Sequence, residues 1–405
     1  MTNYKLLFIT NTNSVISGVM ESGFRDSVQY AFKELQKKLS RDRLRISLEV
    51  LDLTLVADFK EQVLNIINIK KPLMIVGPGQ TPLMYQILSD KRFDGIPIFS
   101  PITASTVLTD IAKSRRLKNF FPTTSADRLR VELLLKEIIS LYPDKKIFYY
   151  YPYDHHSSYA FGLKKDLEEI LSEYGKIDAE GYMFSINTKE FQIGKYPDHK
   201  CPVIICAPSA QTSEFVKHLR LKFKRNQIFT FGSNTNLLTH DLIGSVVVCD
   251  LDRNVGDHFF GDHTAKLLKK NSDPSLSTLV AFEIIWKTVN DNAGFLEECK
   301  DINKARKMCI NYLLQTEFYV FNQPVKFGNS HYSPFRDHTL MTVGRNMFGL
   351  GFKKKQDNVK YAPLLPKKFD RLALITALLL FLTIVSRVDA IISIIENTIK
   401  IFGFE

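Results

Sequence analysis

Two periods of apolar residues alternate along the first 250 positions. "YKLLFIT" (4–10) reads as a strand, and residues 22–39, "SGFRDSVQYAFKELQKKL", place Phe24, Val28, Ala31, Phe32, Leu35 and Leu39 on one helical stripe. "RLRISLEVLDL" then spaces Leu44, Ile46, Leu48 and Val50 at period two, the mark of a half-buried strand. A helix near 58–69 follows, then the strand "PLMIVGPG" (72–79), a helix opening at "TPLMYQIL", and the short strand "IPIFSP" (96–101). The rhythm repeats with a helix at 125–141, "KKIFYYYP" (145–152), a helix at 158–174 and "CPVIICAP" (201–208). A helix at 211–224, "QIFTFGS" (227–233) and "GSVVVCDL" (244–251) close the series.

Strands alternating with helices predict parallel sheets covered on both faces. There are more strands than one compact sheet usually holds, so the fold class expected is α/β with two Rossmann-like lobes. Beyond 251 the rhythm changes. "SLSTLVAFEIIWKTVN" (275–290) is an amphipathic helix, another lies near 300–315, and "FYVFNQPVKFGNS" and "HTLMTVGRNMF" read as late strands. That stretch is too short for a third α/β domain, so it completes the two lobes. The expected division is 1–124 for lobe 1, 125–250 for lobe 2, a return to lobe 1 over 251–318 and to lobe 2 over 319–352. A lysine-rich linker (353–370) then leads to a hydrophobic tail (371–402).

That tail contains "RLALITALLLFLTIVSR" (371–387). Leu372 to Ser386 is uncharged and would make about 22 Å of helix, short of a hydrocarbon core of ~30 Å. Val388, Ile391, Ile392, Ile394, Ile395 and Ile399 prolong its apolar face, and Arg387 has the length to reach a headgroup layer. A membrane-associated helix is the expectation, with a helix packed on the domain as the alternative. Lys353, Lys354, Lys355, Lys360, Lys367, Lys368 and Arg371 precede it, whereas Arg387 and Lys400 behind it are balanced by Asp389, Glu396 and Glu405. Positive flanks accumulate on the cytoplasmic side, which places the large domain in the cytoplasm.

Composition sharpens this picture only modestly. Of 405 residues, 45% are hydrophobic and 24% charged, figures of a globular chain rather than a disordered or polytopic one. The N-terminal apolar run Leu6–Ile9 is too short for a secretion signal and fits a first strand. The five cysteines (Cys201, Cys206, Cys249, Cys299, Cys309) form no C-x-x-C and no paired framework, so buried free thiols in a reducing compartment are expected. The net charge of +11 reads as a solvated basic surface. "KHLRLKFKR" (217–225) interleaves its cations with Leu219, Leu221 and Phe223, so a core-packed helix with an exposed basic face is expected; an anionic surface, nucleic acid or inner-leaflet lipid, is the alternative, with too few aromatics for a single-strand stacking platform. His258 and His263 of "GDHFFGDH" are five apart, not at the four-residue spacing of a zinc helix, and "DHHSSY" (154–159) adds no cysteine pair. No G-x-S-x-G, P-loop lysine or G-x-G-x-x-G follows a strand. No cofactor, metal or catalytic set is expected.

Six stretches in order, "GFRDSVQYAFKEL", "LMIVGPGQTPLMYQIL", "IPIFSPITASTVLTD", "NFFPTTSADRLRVELLLKEI", "YPYDHHSSYAFGLKKDLEEIL" and "LVAFEIIWKTV", are similar to those of the type I periplasmic binding proteins. This is the fold of branched-chain amino acid binding proteins and receptor ligand-binding regions, and the resemblance spans residues 4–350. It implies two lobes joined by three crossovers, a ligand between them and closure about a hinge. "GPGQTP" and "SPITAST" are strand-to-helix turns, where loop amides and helix N-termini suit a carboxylate, phosphate or sugar hydroxyl. The candidate ligand-binding residues there are Thr81, Ser100, Thr103 and Ser105, with helix capping the competing role for Thr81 and Ser105.

On the second lobe the resemblance implies Tyr159, Ser209 and Asn234. Tyr159 stands in "YAFG", where Ala160 replaces the first glycine of the family's Tyr-Gly-x-Gly. Asn234 stands where amino-acid binders of the family carry an acid for the ligand's ammonium, and Ala104 and Pro122 replace a usual threonine and a frequent arginine. The function expected is non-enzymatic: a small-ligand sensor or interaction domain, tethered by its tail and facing the cytoplasm, whose closure changes its surface toward a protein partner. The alternatives are an extracytoplasmic solute-binding component of an ABC-type transporter, an enzyme using the inter-lobe cleft, or a fold kept for protein contacts with the tail driving homo-oligomers.

Overall fold

The computed structural model describes residues 2–11, 18–39, 44–53, 58–103, 105–124, 126–153, 158–175, 177–186, 191–198, 200–223, 226–231, 239–250, 274–320, 323–327, 338–346 and 349–354. β1 (Thr2–Thr10) pairs in parallel with β2 (Leu44–Asp52) along its whole length, from Thr2 opposite Leu44 to Thr10 opposite Asp52. β3 (Met74–Val76), β4 (Ile98–Ser100) and β5 (Phe120–Pro122) complete a parallel sheet in the order β2-β1-β3-β4-β5. Successive side chains of β1 enter different cores. Leu6 and Phe8 pack with Phe24, Val28 and Leu35 of α1 (Gly18–Lys38). Leu7 and Ile9 pack with residues of α2 (Phe59–Lys70), α3 (Thr81–Ser89) and α4 (Thr106–Ser114). A strand buried on both faces reads as a near-continuous apolar run, which is why "YKLLFIT" shows no alternation.

The second sheet repeats this plan. β6 (Ile147–Pro152), β7 (Ala179–Ile186), β9 (Val203–Ile205), β10 (Ile228–Phe231) and β11 (Val246–Asp250) are parallel and ordered β7-β6-β9-β10-β11. Counted from its own first strand, this is the 2-1-3-4-5 order of the first sheet. Antiparallel strands extend both edges: β8 (Phe191–Ile193) on β7, and β14 (His338–Asn346) with β15 (Gly349–Lys354) on β11. Phe148 and Tyr150 of β6 pack with Phe215 and Leu219 of α7 (Ser209–Lys222). Tyr149 points to the opposite face and donates to Glu168 of α6 (Ser158–Tyr174) at 2.8 Å. α5 (Asp127–Leu141) accompanies α6, joined to it by Arg128 pairing with Glu169 and Glu173 at 2.8 and 2.6 Å.

The later segments return as the pattern requires. α8 (Pro274–Asp291), α9 (Ala293–Glu298), α10 (Ile302–Gln315) and the hairpin of β12 (Phe318–Val320) and β13 (Gln323–Val325) join the core of the first sheet through Leu279, Ile284, Leu296, Cys309 and Val325. Glu283, 4% exposed on α8, is paired to Lys38 of α1 at 2.7 Å. The chain then passes to β14 on the second sheet, so it crosses between the sheets three times: β5 to α5, β11 to α8, and β13 to β14. Residues 1–357 form one compact unit.

Some elements differ from their sequence expectation. β5, β7, β8 and β15 were not expected, and β15 reaches Lys354, into the stretch read as linker. α7 begins at Ser209 and ends at Lys222, two residues earlier than 211–224 at both ends, with Pro208 as its N-cap. Proline at the cap fixes that start, because it supplies no N–H to a preceding turn. Among the described residues no helix is long and apolar enough to cross a membrane. The tail at 371–402 lies outside them.

Gly77, ending β3, has φ of +85°, and a Cβ there would lie 2.5 Å from the carbonyl oxygen of Ile9 on β1. The left-handed backbone and the close approach of β1 each demand glycine. Gly77→Ala is expected to destabilise the chain by ~3 kcal/mol in urea unfolding monitored by tyrosine fluorescence, the sum of a left-handed penalty and a backbone displacement.

Candidate functional site

In a parallel sheet every following helix begins at the same edge, with its first-turn N–H groups unpaired and its positive dipole end outward. In the order 2-1-3-4-5, connections leave β1 and β3 in opposite directions, and the crevice lies at that switch point. Here the switch points are β1/β3 and β6/β9. The turns leaving them are "GPGQT" before α3 and "CAP" before α7, with "SPITAS" before α4 and the start of α6 adjoining.

Ser100 ends β4 and is fully buried; its Oγ donates to the Thr103 carbonyl at 2.6 Å and lies 2.7 Å from Thr103 Oγ1. These two predicted residues are therefore brought together, but their hydroxyls brace the turn against itself. Thr81 is the first residue of α3, 4% exposed, one position past the N-cap Gln80. Ser105 occupies the N-cap of α4 but makes no side-chain cap hydrogen bond. Its Oγ is buried with no hydrogen-bond partner among the described residues, and the residue is 0% exposed. Capping thus explains neither Ser105 nor Thr81. A buried hydroxyl with nothing to bond costs about 1–3 kcal/mol, so the Ser105 position carries an unmet demand for a polar partner.

On the second sheet, Tyr159 is half-buried in the first turn of α6, and Ser209 is half-buried as the first residue of α7. Asn234 lies outside the described residues, as do Ala104 and the acidic and histidine-rich stretches 154–157 and 256–263. Among the described residues no group of three His, Cys, Asp or Glu is placed to hold a metal ion. The basic run in α7 is spoken for locally. Lys217 and His218 both lie 3.3 Å from Glu214, and the His218 ring stacks on Phe191. Arg220 is buried and donates to the carbonyls of Asp241, Phe223 and Asn226, while Lys222 covers the Tyr196 ring at 4.6 Å.

Three residues escape the sequence reading: Thr106, Gly162 and Asp166. A Cβ built on Gly162 of α6 would stand 2.7 Å from Ser105 Oγ, so the helices that begin at the two carboxyl edges touch there. One turn further along α6, Asp166 is 0% exposed, and both of its carboxyl oxygens lie 2.7 Å from Thr106 Oγ1. Burial pushes the Asp166 carboxyl up to about 7, against the opposing hydrogen bond from Thr106. Lys165 and Asp110 add an exposed ion pair at 3.0 Å between the same two helices. A signal existed for Asp166: it falls on the buried stripe of Leu163, Leu167 and Ile170, where a carboxylate has no packing reason to be. The first crossover is tied down nearby. Thr123 donates to the Ser277 carbonyl of α8 at 3.1 Å, and Arg130 donates to Thr124 at 3.2 Å.

No protein-family model and no curated protein matches the sequence. Solved structures do match in fold. The branched-chain amino acid transporter substrate-binding protein LivJ of Streptococcus pneumoniae, in complex with isoleucine, is 14% identical with a TM-score of 0.65, over 87% of this chain and 100% of that one. A possible leucine/isoleucine/valine-binding protein of Rhodopirellula baltica is 14% identical with a TM-score of 0.68, over 88% and 96%. A solute-binding protein of an ABC transporter from Rhodopseudomonas palustris, in complex with 3,4-dihydroxybenzoic acid, is 11% identical with a TM-score of 0.61, over 89% and 98%. Two doubly wound sheets of one strand order, three crossovers between them and this likeness together give the chain the fold of the type I periplasmic binding proteins.

Proposed function

We propose that the chain is a non-enzymatic solute-binding protein, closing its two halves on a small anionic solute as the substrate-binding components of ABC transporters do. One observation carries the reading: the buried, unpartnered Ser105 hydroxyl at the N-terminus of α4, beside first-turn amides with no intrahelical acceptor. A carboxylate there would accept from hydroxyl and amides together, the arrangement that favours anions at helix N-termini. Asn234 in place of an acid argues for a solute without an ammonium group. The Rhodopseudomonas neighbour bound to 3,4-dihydroxybenzoic acid supports such a ligand class on this fold. Thr81, Tyr159, Ser209 and Asn234 are the further contacts proposed, with Ser100 and Thr103 holding the turn.

The likeness to transporter components favours an extracytoplasmic position. A second reading, a domain tethered by residues 371–402 and facing the cytoplasm, is favoured by the free thiols of Cys201, Cys206, Cys299 and Cys309 and by the lysines before the tail. Protease added outside sealed spheroplasts separates the two. Cleavage of the domain supports the first, and full protection until lysis supports the second.

Mass spectrometry of small molecules released on denaturing the purified chain, followed by a thermal-shift screen, tests the ligand class. Carboxylic acids lacking an amine are expected to raise the melting temperature, because a ligand of the folded state stabilises by mass action. A response confined to α-amino acids would overturn the assignment drawn from Asn234. Ser105→Ala separates the two roles of that hydroxyl. It should raise ligand-free stability by about 1 kcal/mol in urea, by deleting an unsatisfied group. It should also weaken binding about tenfold in calorimetry, by removing a donor to a charged oxygen.

A further inference from the structure

The contact between α4 and α6 joins the two halves through a line of residues one helical turn apart. Gly162 faces Ser105, and Asp166 faces Thr106. The carboxyl is wholly enclosed although it lies between two halves that a hinge would separate. The charged groups around it do not neutralise it. From α4, Asp110 is turned to Lys165; on α6, Lys165 is engaged by Asp110 and Glu169. From α5 come Asp127, which Arg130 faces at 3.6 Å, and Arg128, which is held by Glu173 and by Glu169, a further acid acting on Asp166. From the end of β9 the Cys206 thiol is within electrostatic reach, itself pushed well up by burial. α3, which also packs on α6, contributes no charged residue. Each nearby cation is thus already committed to another acid, and the Thr106 hydroxyl has one proton for two carboxyl oxygens at equal distance.

We propose that α4 and α6 form a proton-linked latch: closing the halves encloses the Asp166 carboxyl against Thr106, takes up a proton from solvent, and is therefore relaxed by alkali. Opening exposes the carboxyl to water, where it ionises at an ordinary value. The sign follows from the direction of the shift. The carboxyl is raised to about 7 in the closed form by burial. Closure is therefore fully favoured below the ordinary carboxylate value near 4, weakens as pH rises from there to about 7, and levels off above. One proton per closure changes the closing constant by up to about tenfold per pH unit within that window. Gly162 lets α6 approach closely enough for Asp166 to reach Thr106; a side chain there would meet Ser105. The latch needs no solute, so a silent ligand screen leaves it standing, and its failure leaves the solute-binding reading standing.

Amide hydrogen exchange on the full-length chain without added solute, at pH 5 and pH 8 and corrected for intrinsic rates, tests it. Peptides covering 106–114 and 158–174 are expected to lose protection at least tenfold at pH 8, while those covering β6 and β9 keep theirs. Asp166→Asn, neutral and of the same shape, should show the same protection at both pH values. Thr106→Val, which removes the donor from the other half, should steepen the loss at pH 8. It reads the latch independently should the asparagine variant not fold. A flat profile in the unmodified chain, an undiminished loss in Asp166→Asn, a flat profile in Thr106→Val, or a loss spread evenly over β6 and β9 would each overturn the latch.

Discussion

Parallel pairing is the constraint on which the rest depends. A strand buried on both faces must be followed by a crossover helix, and every such helix starts at the same edge with unsatisfied amides pointing outward. The chain builds this arrangement twice in one strand order and sets the two edges together at α4 and α6. That juxtaposition concentrates polar demand where water is scarce. Ser105 and Asp166 are both fully enclosed at that seam. Elsewhere in the same edge the demand is met internally: Ser100 and Thr103 bond each other. At the seam the Ser105 hydroxyl is left without a bond, and Asp166 has only the Thr106 hydroxyl to share between its two oxygens.

The two enclosed groups differ in what they ask for. Ser105 presents a neutral hydroxyl that a donor or acceptor of any small molecule would satisfy. Asp166 presents an acid that enclosure favours in its neutral form, beside one hydroxyl from the opposite half. Replacing Asp166 by leucine would fit the stripe of Leu163, Leu167 and Ile170 better, so its presence is not explained by packing. Its partner, Thr106, belongs to the other half of the molecule. A polar pair split between α4 and α6 contributes to how the two halves meet rather than to the folding of either half.

Much of the fold was legible because it rests on periodicity. The stripe of Phe24, Val28, Ala31 and Leu35 and the run of Leu6 to Ile9 each specify an element and the faces it buries, and both are found as read. β5 was missed because three residues, Phe120 to Pro122, are too few to show a period and end in a proline. β15 was missed because its lysines, Lys353 and Lys354, read as linker, although an edge strand tolerates and is protected by such charges. Ser105 and Thr81 were singled out as candidates from turn chemistry, but their surroundings depend on which helices meet across the halves. Gly162 and Asp166 lie 57 and 60 residues from their partners in sequence, and no local pattern reports that meeting.

Closure by the chain's own groups changes what binding a solute requires. With Gly162 against Ser105, α6 covers the hydroxyl that an anion would use, so halves latched without a solute shut one out. A solute must then enter the relaxed form, and its apparent affinity is reduced by the fraction of molecules that are latched. Ligand affinity and proton activity become linked through one seam: the conditions that loosen Asp166 from Thr106 are those that uncover Ser105. One acid on a buried stripe thereby sets when the cleft is open to a solute, without itself touching it.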